Sequence, residues 1–441
     1  MSKKLLIAFS LFLNLCLVSG QYTHEIHPND RVMSIKMPTS EYNKWVNDQT
    51  TFSSSSQDVK NVTNYIYNEF KDDFDFIFFV LKEGTKPSNY SYFGSTAIIK
   101  NDIKGIGFNN DVTVDNTADF GSAGRLKAAI YLPALNYIQS GPALHQMAAY
   151  YLNWGITVEI VNGINPLSTI STRGFWGWTG GNVKGQRGGF QQSTLVENQD
   201  GSFTVDSFGE TANNGNSTMY TQLELYLMGM GPVTDIDQFD IFTDLTEVNY
   251  DQGTQKFTFK ANTRRTFTSA NIQNEYNGAR VPDHNAAQHD FNALVVVLTD
   301  TDLTQAEWDT VDATADWFSH QGADSSGLFN FHEATNGVGS ITFTGVQSSA
   351  LNVNSVNLDD SHIQVYPNPA NDYLTVNTNG NLKSQVSVRL NNIVGQKVLD
   401  QKYEQVDNAF VLNVEHLPTG IYILDVSDTS SNRYIRKIEI Q

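Results

Sequence analysis

The segment that most constrains the fold is residues 141–155, GPALHQMAAYYLNWG, which follows a predicted strand at residues 125–133, RLKAAIYLP. Pro142 suits the first turn of a helix, because the N–H that proline lacks would have no helical partner there. Gly155 suits the helix end, because glycine readily adopts the left-handed conformation that terminates helices. The sequence therefore predicts a strand that leads directly into a helix, an order common in domains that pack helices on a sheet.

The predicted helix carries part of a metal-binding pattern. In H-E-x-x-H helices, two histidines four residues apart share one face and bind zinc, and the glutamate beside the first acts as general base. Here His145 is the first histidine, but Gln146 stands at the base position and Ala149 at the second ligand position. A carboxamide cannot take a proton from water, and a methyl group offers no ligand atom. His145 is thus a candidate metal ligand without its partners, and a purely structural histidine is the alternative.

Three downstream stretches extend this pattern. Residues 174–208 are rich in glycine and aromatic residues, residues 220–233 read YTQLELYLMGMGPV, and residues 278–298 read GARVPDHNAAQHDFNALVVVL. With the helix, they resemble a family of secreted bacterial zinc-metallopeptidase-like proteins, over about residues 72–337. LELYLMGM is the most specific part of the resemblance.

The resemblance implies an α+β main domain, in which a sheet supports an active-site-type helix and residues 155–206, rich in glycine and aromatic residues, wall the cleft. It also implies that Phe175 stands where the family has a further histidine. The general base and at least one metal ligand are then missing, and whether the chain is an enzyme stays open. No cofactor is expected, and zinc is expected only if other side chains rebuild the site. The candidates for rebuilding it are Asp283, His284, His289, Asp290, His332 and Glu333.

The N-terminus predicts secretion. Residues 1–20 combine two lysines, an apolar stretch and small residues before a cleavage point, as in a signal peptide. The single cysteine, Cys16, lies inside this segment, so the mature chain has no thiol for disulfides, catalysis or metal binding. No other segment is long and apolar enough to span a membrane. The net charge of −19 argues against nucleic acid and anionic membranes as partners.

The C-terminus forms a separate predicted module. Residues 345–361 are polar and without pattern, as in a linker, and end the main domain of residues 21–344. Residues 362–441 contain short alternating strands, which predict a small β-sandwich. Their motifs closely resemble the type A sorting domain of the type IX secretion system, which implies export through both membranes to the surface or the medium, with the secretion machinery as partner. The motif residues are Tyr366, Pro367, Asn368, Pro369, Gly395 and Gly420.

Further elements follow from local patterns. The continuous apolar run at residues 75–81 predicts a buried strand, and Asp200-Gly201 predicts a hairpin turn within residues 197–205. Residues 257–267 are predicted as a strand. Helices are predicted at residues 222–230, 287–298 and 303–320.

Three functions remain open from the sequence. The leading hypothesis is a secreted or cell-surface metallopeptidase-like protein that has lost catalysis and binds a peptide or glycan in the former cleft. The alternatives are an active metallopeptidase with a rearranged metal site, and a protein that binds or degrades polysaccharide. Aromatic residues that could stack on sugars, or that simply form the core, are Trp176, Trp178, Tyr220 and Tyr226.

Overall fold

The computed structural model of the 441-residue chain describes residues 22–106, 113–155, 175–206, 208–209, 215–275, 280–324, 326–343, 364–378, 385–392, 397–403, 408–428 and 433–441. The predicted signal peptide, the predicted linker and Gly395 lie outside these residues. The chain divides into two compact units, Met1–Ser349 and Ala350–Gln441. Within the described part of the chain, no helix has the length and apolar character needed to cross a membrane.

A mixed sheet organises the main unit, and its strands follow the order β1-β2-β15-β3-β7-β4, with β16 also paired to β15. Strands β2, β3, β7, β15 and β16 run parallel to one another, whereas the edge strands β1 and β4 run antiparallel to β2 and β7. The strands are β1 (Thr23–Ile26), β2 (Val32–Lys36), β3 (Phe76–Leu81), β4 (Ser95–Ile98), β7 (Ala128–Leu132), β15 (Asp290–Thr299) and β16 (Ser340–Phe343).

Both faces of this sheet are buried. Phe76, Phe78 and Val80 of β3 enter one core, and the alternating residues Ile77 and Phe79 enter the other. This confirms the buried strand predicted from the apolar run, because a strand covered on both faces needs apolar residues at every position. The helices that cover the sheet are α1 (Thr39–Asn47) and α2 (Gln57–Glu69) on one side, and α3 (Ala143–Gly155), α4 (Gln222–Met228), α6 (Gln305–Ser319) and α7 (Phe331–Ala334) on the other.

The predicted helix at residues 287–298 is wrong. These residues belong largely to β15, the central strand of the sheet, whose ten residues are almost all buried. The run Val295-Val296-Val297 explains the error, because β-branched side chains favour a strand, and a short apolar run cannot be assigned from periodicity alone. The predicted strand-to-helix order, the helix after Thr221 and the helix after Thr304 are confirmed.

A second sheet of the main unit has the order β10-β11-β14-β13 and its own core around Trp178, Phe203 and Phe259. It contains the predicted hairpin at Asp200-Gly201, where Glu197 pairs with Phe203. The remaining strands and α-helix of the main unit, within the described residues, are β5 (Lys100–Asn101), β6 (Val114–Asp115), β8 (Gly180–Gly181), β9 (Gly189–Gln191), β10 (Val196–Glu197), β11 (Phe203–Val205), β12 (Phe208–Gly209), β13 (Phe239–Asp251), β14 (Lys256–Phe267) and α5 (Ser269–Glu275).

The second unit has two antiparallel sheets that share one core, with strand orders β17-β18-β21 and β20-β19-β22-β23. The fold is thus mixed helix and sheet, with a C-terminal β region, as predicted. The strands are β17 (Gln364–Tyr366), β18 (Tyr373–Asn377), β19 (Val386–Asn392), β20 (Lys397–Tyr403), β21 (Ala409–Asn413), β22 (Gly420–Asp428) and β23 (Arg433–Ile440).

Candidate functional site

Helix α3 is fixed between the main sheet and α4. It packs on β4, β7 and α4, and its residues Leu144 and Met147 are fully buried in the core. At the start of the helix, Asn216 Oδ1 accepts a hydrogen bond from Leu144 N at 3.0 Å, and Tyr220 donates one from its hydroxyl to Leu144 O at 2.7 Å. The first turn of α3 is therefore held by side chains from outside the helix.

His145 is buried and hydrogen-bonded at both ring nitrogens. Nδ1 lies 2.8 Å from the backbone oxygen of Gln186, and Nε2 lies 2.8 Å from Nη1 of Arg187. Because a carbonyl can only accept, Nδ1 carries the proton, and Nε2 accepts from the guanidinium. Burial, and then the positive charge of Arg187, hold the pKa of His145 well below its ordinary value. His145 is thus a neutral acceptor.

Arg187 places a positive charge beside His145. Its side chain is buried, and its guanidinium lies 4.9 Å from the ring centroid of Phe175, which in turn stacks on the imidazole of His145 at 6.0 Å. Burial lowers the pKa of Arg187 to about 9, and the charge of Glu224 opposes this shift. Arg187 is still a cation at neutral pH.

Gln146 and Ala149 occupy the cavity side of α3. Thr96 of β4 donates from its hydroxyl to the Gln146 side-chain oxygen at 2.8 Å and to its backbone oxygen at 2.9 Å. Gly94 makes room for this contact, because a Cβ there would lie 3.1 Å from the Gln146 side chain. Gln146 therefore ties the helix to the edge strand, and Ala149 adds only a methyl group to the cavity wall.

Glu224 organises the segment around Arg187. Its fully buried carboxylate accepts four N–H groups: Trp176 Nε1 and Arg187 N at Oε1, both at 2.8 Å, and Thr221 N at 2.8 Å and Gln186 N at 3.2 Å at Oε2. Burial raises the pKa of Glu224 above its ordinary value, and these N–H groups act against that shift. One carboxylate thus connects α4 to the glycine-rich segment that carries Arg187.

A cavity of about 400 Å³ lies beside α3. It is bounded by the helix on one side and by the edge strand β4 on another, and Arg187 contributes the only formal charge among the described residues that line it. The lining residues are Ser54, Gly94, Ser95, Thr96, Ile98, His145, Gln146, Ala149, Phe175 and Arg187.

The residues present do not fit a catalytic zinc ion. Such a site needs three protein ligands, whereas His145 here has a carboxamide and a methyl group as its neighbours on the helix. The Nε2 lone pair that would bind the metal accepts a hydrogen bond from Arg187 instead. Phe175, at the position implied for a further ligand, offers only a ring.

The candidates for a rebuilt metal site do not come together. Among the described residues, no three His, Cys, Asp or Glu side chains are close enough to hold a metal. His289 Nε2 contacts the backbone oxygen of Gly229 at 2.8 Å, and His332 Nδ1 contacts that of Gly339 at 3.1 Å. Asp290 accepts from the hydroxyl of Ser340, and Asn330 N donates to Glu333. Asp283 accepts a hydrogen bond from Asn285 N within its own turn, and His284 lies in the same turn.

The four aromatic residues considered for sugar stacking are core residues. None is more than 5% exposed, so no ring presents a face to a ligand. Trp178 stacks on Phe208 at 3.8 Å, and Trp176 donates to Glu224. The physical reason is that the glycine-rich segment folds inward onto α4 and the second sheet. The residues concerned are Trp176, Trp178, Tyr220 and Tyr226.

Three residues of the site were not singled out from the sequence: Arg187, Thr96 and Glu224. A signal for Glu224 was present, because Thr221 and Glu224 form the T-x-x-E pattern of a capping box, which the structure contains. Arg187 and Thr96 have no such local signal, since they reach the helix only through the tertiary fold.

Residues 364–441 match the family model described as "Secretion system C-terminal sorting domain". These residues are a type IX sorting domain, so the protein is exported by type IX secretion to the cell surface or the extracellular space and interacts with the secretion machinery. Within the domain, Asn368 Oδ1 accepts from Glu439 N at 2.8 Å, and Asn368 Nδ2 donates to Lys437 O at 3.2 Å. Tyr366 is half exposed, and Gly420 begins β22.

Known proteins give limited further similarity. An endo-acting ulvan lyase from Formosa agariphila is 25% identical over 128 residues, which are 26% of this chain and 24% of that protein. The chain therefore spans about a quarter of that relative's length.

Two solved structures match 18% of the chain each. A DUF3244 family protein from Bacteroides vulgatus, with an immunoglobulin-like β-sandwich fold, gives a TM-score of 0.17 at 16% identity over 85% of its length. Dimeric latent PorU from Porphyromonas gingivalis gives 0.16 at 12% identity over 9% of its length. At these scores neither similarity defines a fold.

Proposed function

We propose that the main unit is a secreted, non-catalytic relative of zinc metallopeptidases, and that the cavity beside α3 binds a ligand without cleaving it. The observation that carries this proposal is the 2.8 Å contact between His145 Nε2 and the guanidinium of Arg187. It engages the atom that would hold a metal and places a positive charge where a metal would sit. Gln146 and Ala149 support the same conclusion, since they supply neither a base nor a second ligand.

The architecture supports the peptidase relationship. A sheet that leads into a helix is the arrangement that the sequence resemblance implied for this family. In this chain α3 follows β7, and β4 is the antiparallel edge strand. The cavity is lined by residues of both α3 and β4.

The test is metal content together with proteolysis. The full-length chain, purified without chelators, is expected to hold far less than one zinc per chain by elemental analysis and to leave casein intact. His145→Ala should change neither result. About one zinc per chain, lost in His145→Ala and accompanied by chelator-sensitive cleavage, would instead support an active peptidase with a rearranged site.

A second candidate function is binding or degradation of polysaccharide, which the similarity to the ulvan lyase favours. Phe175 is the lining residue suited to test it, because its ring is half buried and borders the cavity. Incubation with ulvan and other polysaccharides, followed by measurement of chain length and of retention on immobilised polymer, should then show binding or cleavage that Phe175→Ala weakens. If no polysaccharide in the panel were bound or shortened, this function would be wrong.

A further inference from the structure

One sheet of the C-terminal unit has an outer face without charge. Along β17, β18 and β21, residues alternate between the shared core and solvent, as in an antiparallel sheet that is covered on one side. No strand residue on the solvent side of this sheet carries a formal charge. The residues on this outer face are Gln364, Tyr366, Tyr373, Thr375, Asn377, Ala409, Val411 and Asn413.

The other sheet of the unit, β20-β19-β22-β23, has a charged outer face. Arg389 of β19 lies opposite Asp400 of β20 and Asp425 of β22, and Arg389 Nε is 3.9 Å from Asp400 Oδ1. Lys402 and Lys437 are exposed on the same face. The uncharged surface is therefore a property of one sheet and not of the whole domain.

Three large side chains form a patch on the uncharged face. Tyr366, Thr375 and Val411 lie side by side on the three strands, and Tyr373 lies two residues before Thr375. Tyr373 is thus the diagonal neighbour of both Tyr366 and Val411, and diagonal side chains, about 7–8 Å apart, are within reach of an aromatic ring. About half of each remains exposed: 49% of Tyr366, 53% of Tyr373 and 54% of Val411.

Such a patch is typical of a surface that another molecule covers. Among the described residues, nine large apolar side chains are exposed, and three of them meet here. Single exposed apolar residues need no explanation, whereas a cluster marks an interaction site. Tyrosine is enriched in interfaces, because its ring supplies apolar area while its hydroxyl tolerates water.

The secretion machinery is the occupant that this face fits best. Residues 364–441 interact with that machinery, and Tyr366 of the predicted sorting motif belongs to the patch. A charged partner surface would lose its hydration here without gaining an ion pair, so an apolar one fits better. A second copy of this chain is a poorer occupant, since each copy has a net charge of −19 and the two repel.

We infer that the secretion machinery binds the outer face of the β17-β18-β21 sheet through an uncharged, apolar surface of its own, with Tyr366, Tyr373 and Val411 at the centre of the contact. The inference goes beyond the proposed function, because it concerns the C-terminal unit and holds whatever the main unit does. It adds Tyr373 and Val411, which lie outside the predicted motif, to the residues on which export depends.

The test is export of the full-length chain in a bacterium with type IX secretion. Tyr373→Thr/Val411→Thr removes two members of the patch and places a residue that suits a strand at each position. We expect the exported fraction to fall at least about tenfold, because a few central residues carry most of the affinity of an interface. Cell fractionation with immunoblotting measures the chain in the periplasm, at the surface and in the medium.

Two matched variants assign the effect to the patch. Lys402→Thr/Ile421→Thr makes the same replacements at exposed positions of the other sheet and should leave export unchanged. Tyr366→Phe/Tyr373→Phe keeps the rings and should also be exported normally, because the contact requires their apolar area. Thermal denaturation of the purified chains checks that all variants fold alike.

Photo-crosslinking gives a second measurement that does not depend on a loss of export. A benzophenone amino acid in place of Tyr373 should form adducts with a component of the secretion machinery in living cells, and one in place of Lys402 should not. Mass spectrometry identifies the adducts.

The outcomes are distinct. Normal export of the Tyr373→Thr/Val411→Thr protein overturns the inference, as do adducts from position 402 alone. Adducts from position 373 only with a second copy of the chain, or only with a cell-surface polysaccharide, assign the patch to another occupant and overturn the inference too. None of these results bears on zinc content or proteolysis, which test the proposed function separately.

Discussion

At the scale of single residues, the site is built on two buried charges with different tasks. Arg187 faces the cavity and His145, whereas Glu224 turns away from the cavity and collects N–H groups from three separate stretches of chain. A buried carboxylate is unfavourable unless hydrogen bonds replace its water. Glu224 has four, so its role is to hold the structure together.

Glu224→Gln should therefore lower the free energy of unfolding by about 3 kcal/mol, because the amide group turns an NH₂ toward N–H donors and removes the charge that they solvate. Urea denaturation followed by fluorescence measures the change. Glu307→Gln is a matched control, since Glu307 closes the same kind of capping box on the exposed start of α6. Equal losses in both variants would contradict the special role of Glu224.

Asp240 makes stability depend on pH. Burial alone would raise its pKa, but hydrogen bonds from Arg264, Thr266 and Gln192 outweigh burial and hold the pKa below its ordinary value. The carboxylate therefore stabilises the fold fully above its unfolded pKa of about 4, and this stabilisation is lost as the pH falls through the folded pKa.

From about pH 5 to pH 2, the wild type should thus lose more unfolding free energy than Asp240→Asn, which has no carboxylate at this position to protonate. Chemical denaturation at each pH measures the difference. If the unfolding free energies of the two proteins fell in parallel with pH, the pKa of Asp240 would be the same in the folded and the unfolded chain.

At the scale of elements, the glycine-rich segment is positioned by close contact with α4. An ideal Cβ on Gly185 would lie 2.6 Å from Glu224 Oε2 and 2.7 Å from Thr221 Cγ2, so the backbone can approach the carboxylate only without a side chain. We therefore expect a side chain at this position to force the segment away from α4.

Gly185→Ala should lower the free energy of unfolding by about 1–3 kcal/mol through overpacking, measured by thermal or urea denaturation. Gly84→Ala serves as control, because a Cβ there meets nothing within 4 Å. A Gly185→Ala protein as stable as the Gly84→Ala protein would mean that the segment can shift away from α4 without cost.

The face of α3 offers a direct test of the metal argument. Ala149→His recreates two histidines one helical turn apart, but Arg187 still donates to the lone pair of His145. Removing it in Ala149→His/Arg187→Ala should strengthen cobalt binding at least about tenfold, since a dication and a guanidinium at about 4 Å repel by about 2 kcal/mol even in water. Cobalt absorption spectra measure the affinity. Equal affinities would show that Arg187 does not exclude a metal.

Much of this element-level picture follows from the sequence, and the exceptions have physical causes. The strand before α3, the helix itself and the capping box of α4 rest on local signals such as Pro142, Gly155 and Thr221. The sequence did not predict β15 as a strand, because a fully buried strand and a buried helix have the same apolar composition. The contacts of Arg187 with His145 and of Thr96 with Gln146 join residues about 40 to 50 positions apart, and no local pattern contains them.

At the scale of the whole molecule, the two units differ in charge. Residues 364–441 contain seven Lys and Arg and eight Asp and Glu, a net charge of −1, so nearly all of the −19 lies in the rest of the chain. Each unit also has its own hydrophobic core. We therefore expect the sorting domain to fold and to be recognised without the main unit.

Residues 345–441 attached to a periplasmic reporter should carry it to the surface or the medium in a bacterium with type IX secretion. Asn368→Ala should reduce this export several-fold, because Asn368 joins its loop to β23 through Lys437 and Glu439. Cell fractionation measures the reporter in each compartment. The exposed neighbour Asn371→Ala is the control, and equal export of both variants would show that this loop attachment is dispensable.

The four N–H groups that meet at Glu224 have a consequence for how this protein can change over time. They hold the segment that carries Arg187 against α4, and Glu224 itself does not line the cavity. The stability of the fold therefore depends little on the side chains at positions 149 and 175, which do line it. Substitutions on the inner wall can then alter ligand preference at small cost to folding. A fold of this kind can lose catalysis and keep ligand binding, or acquire a different activity, without a change of architecture.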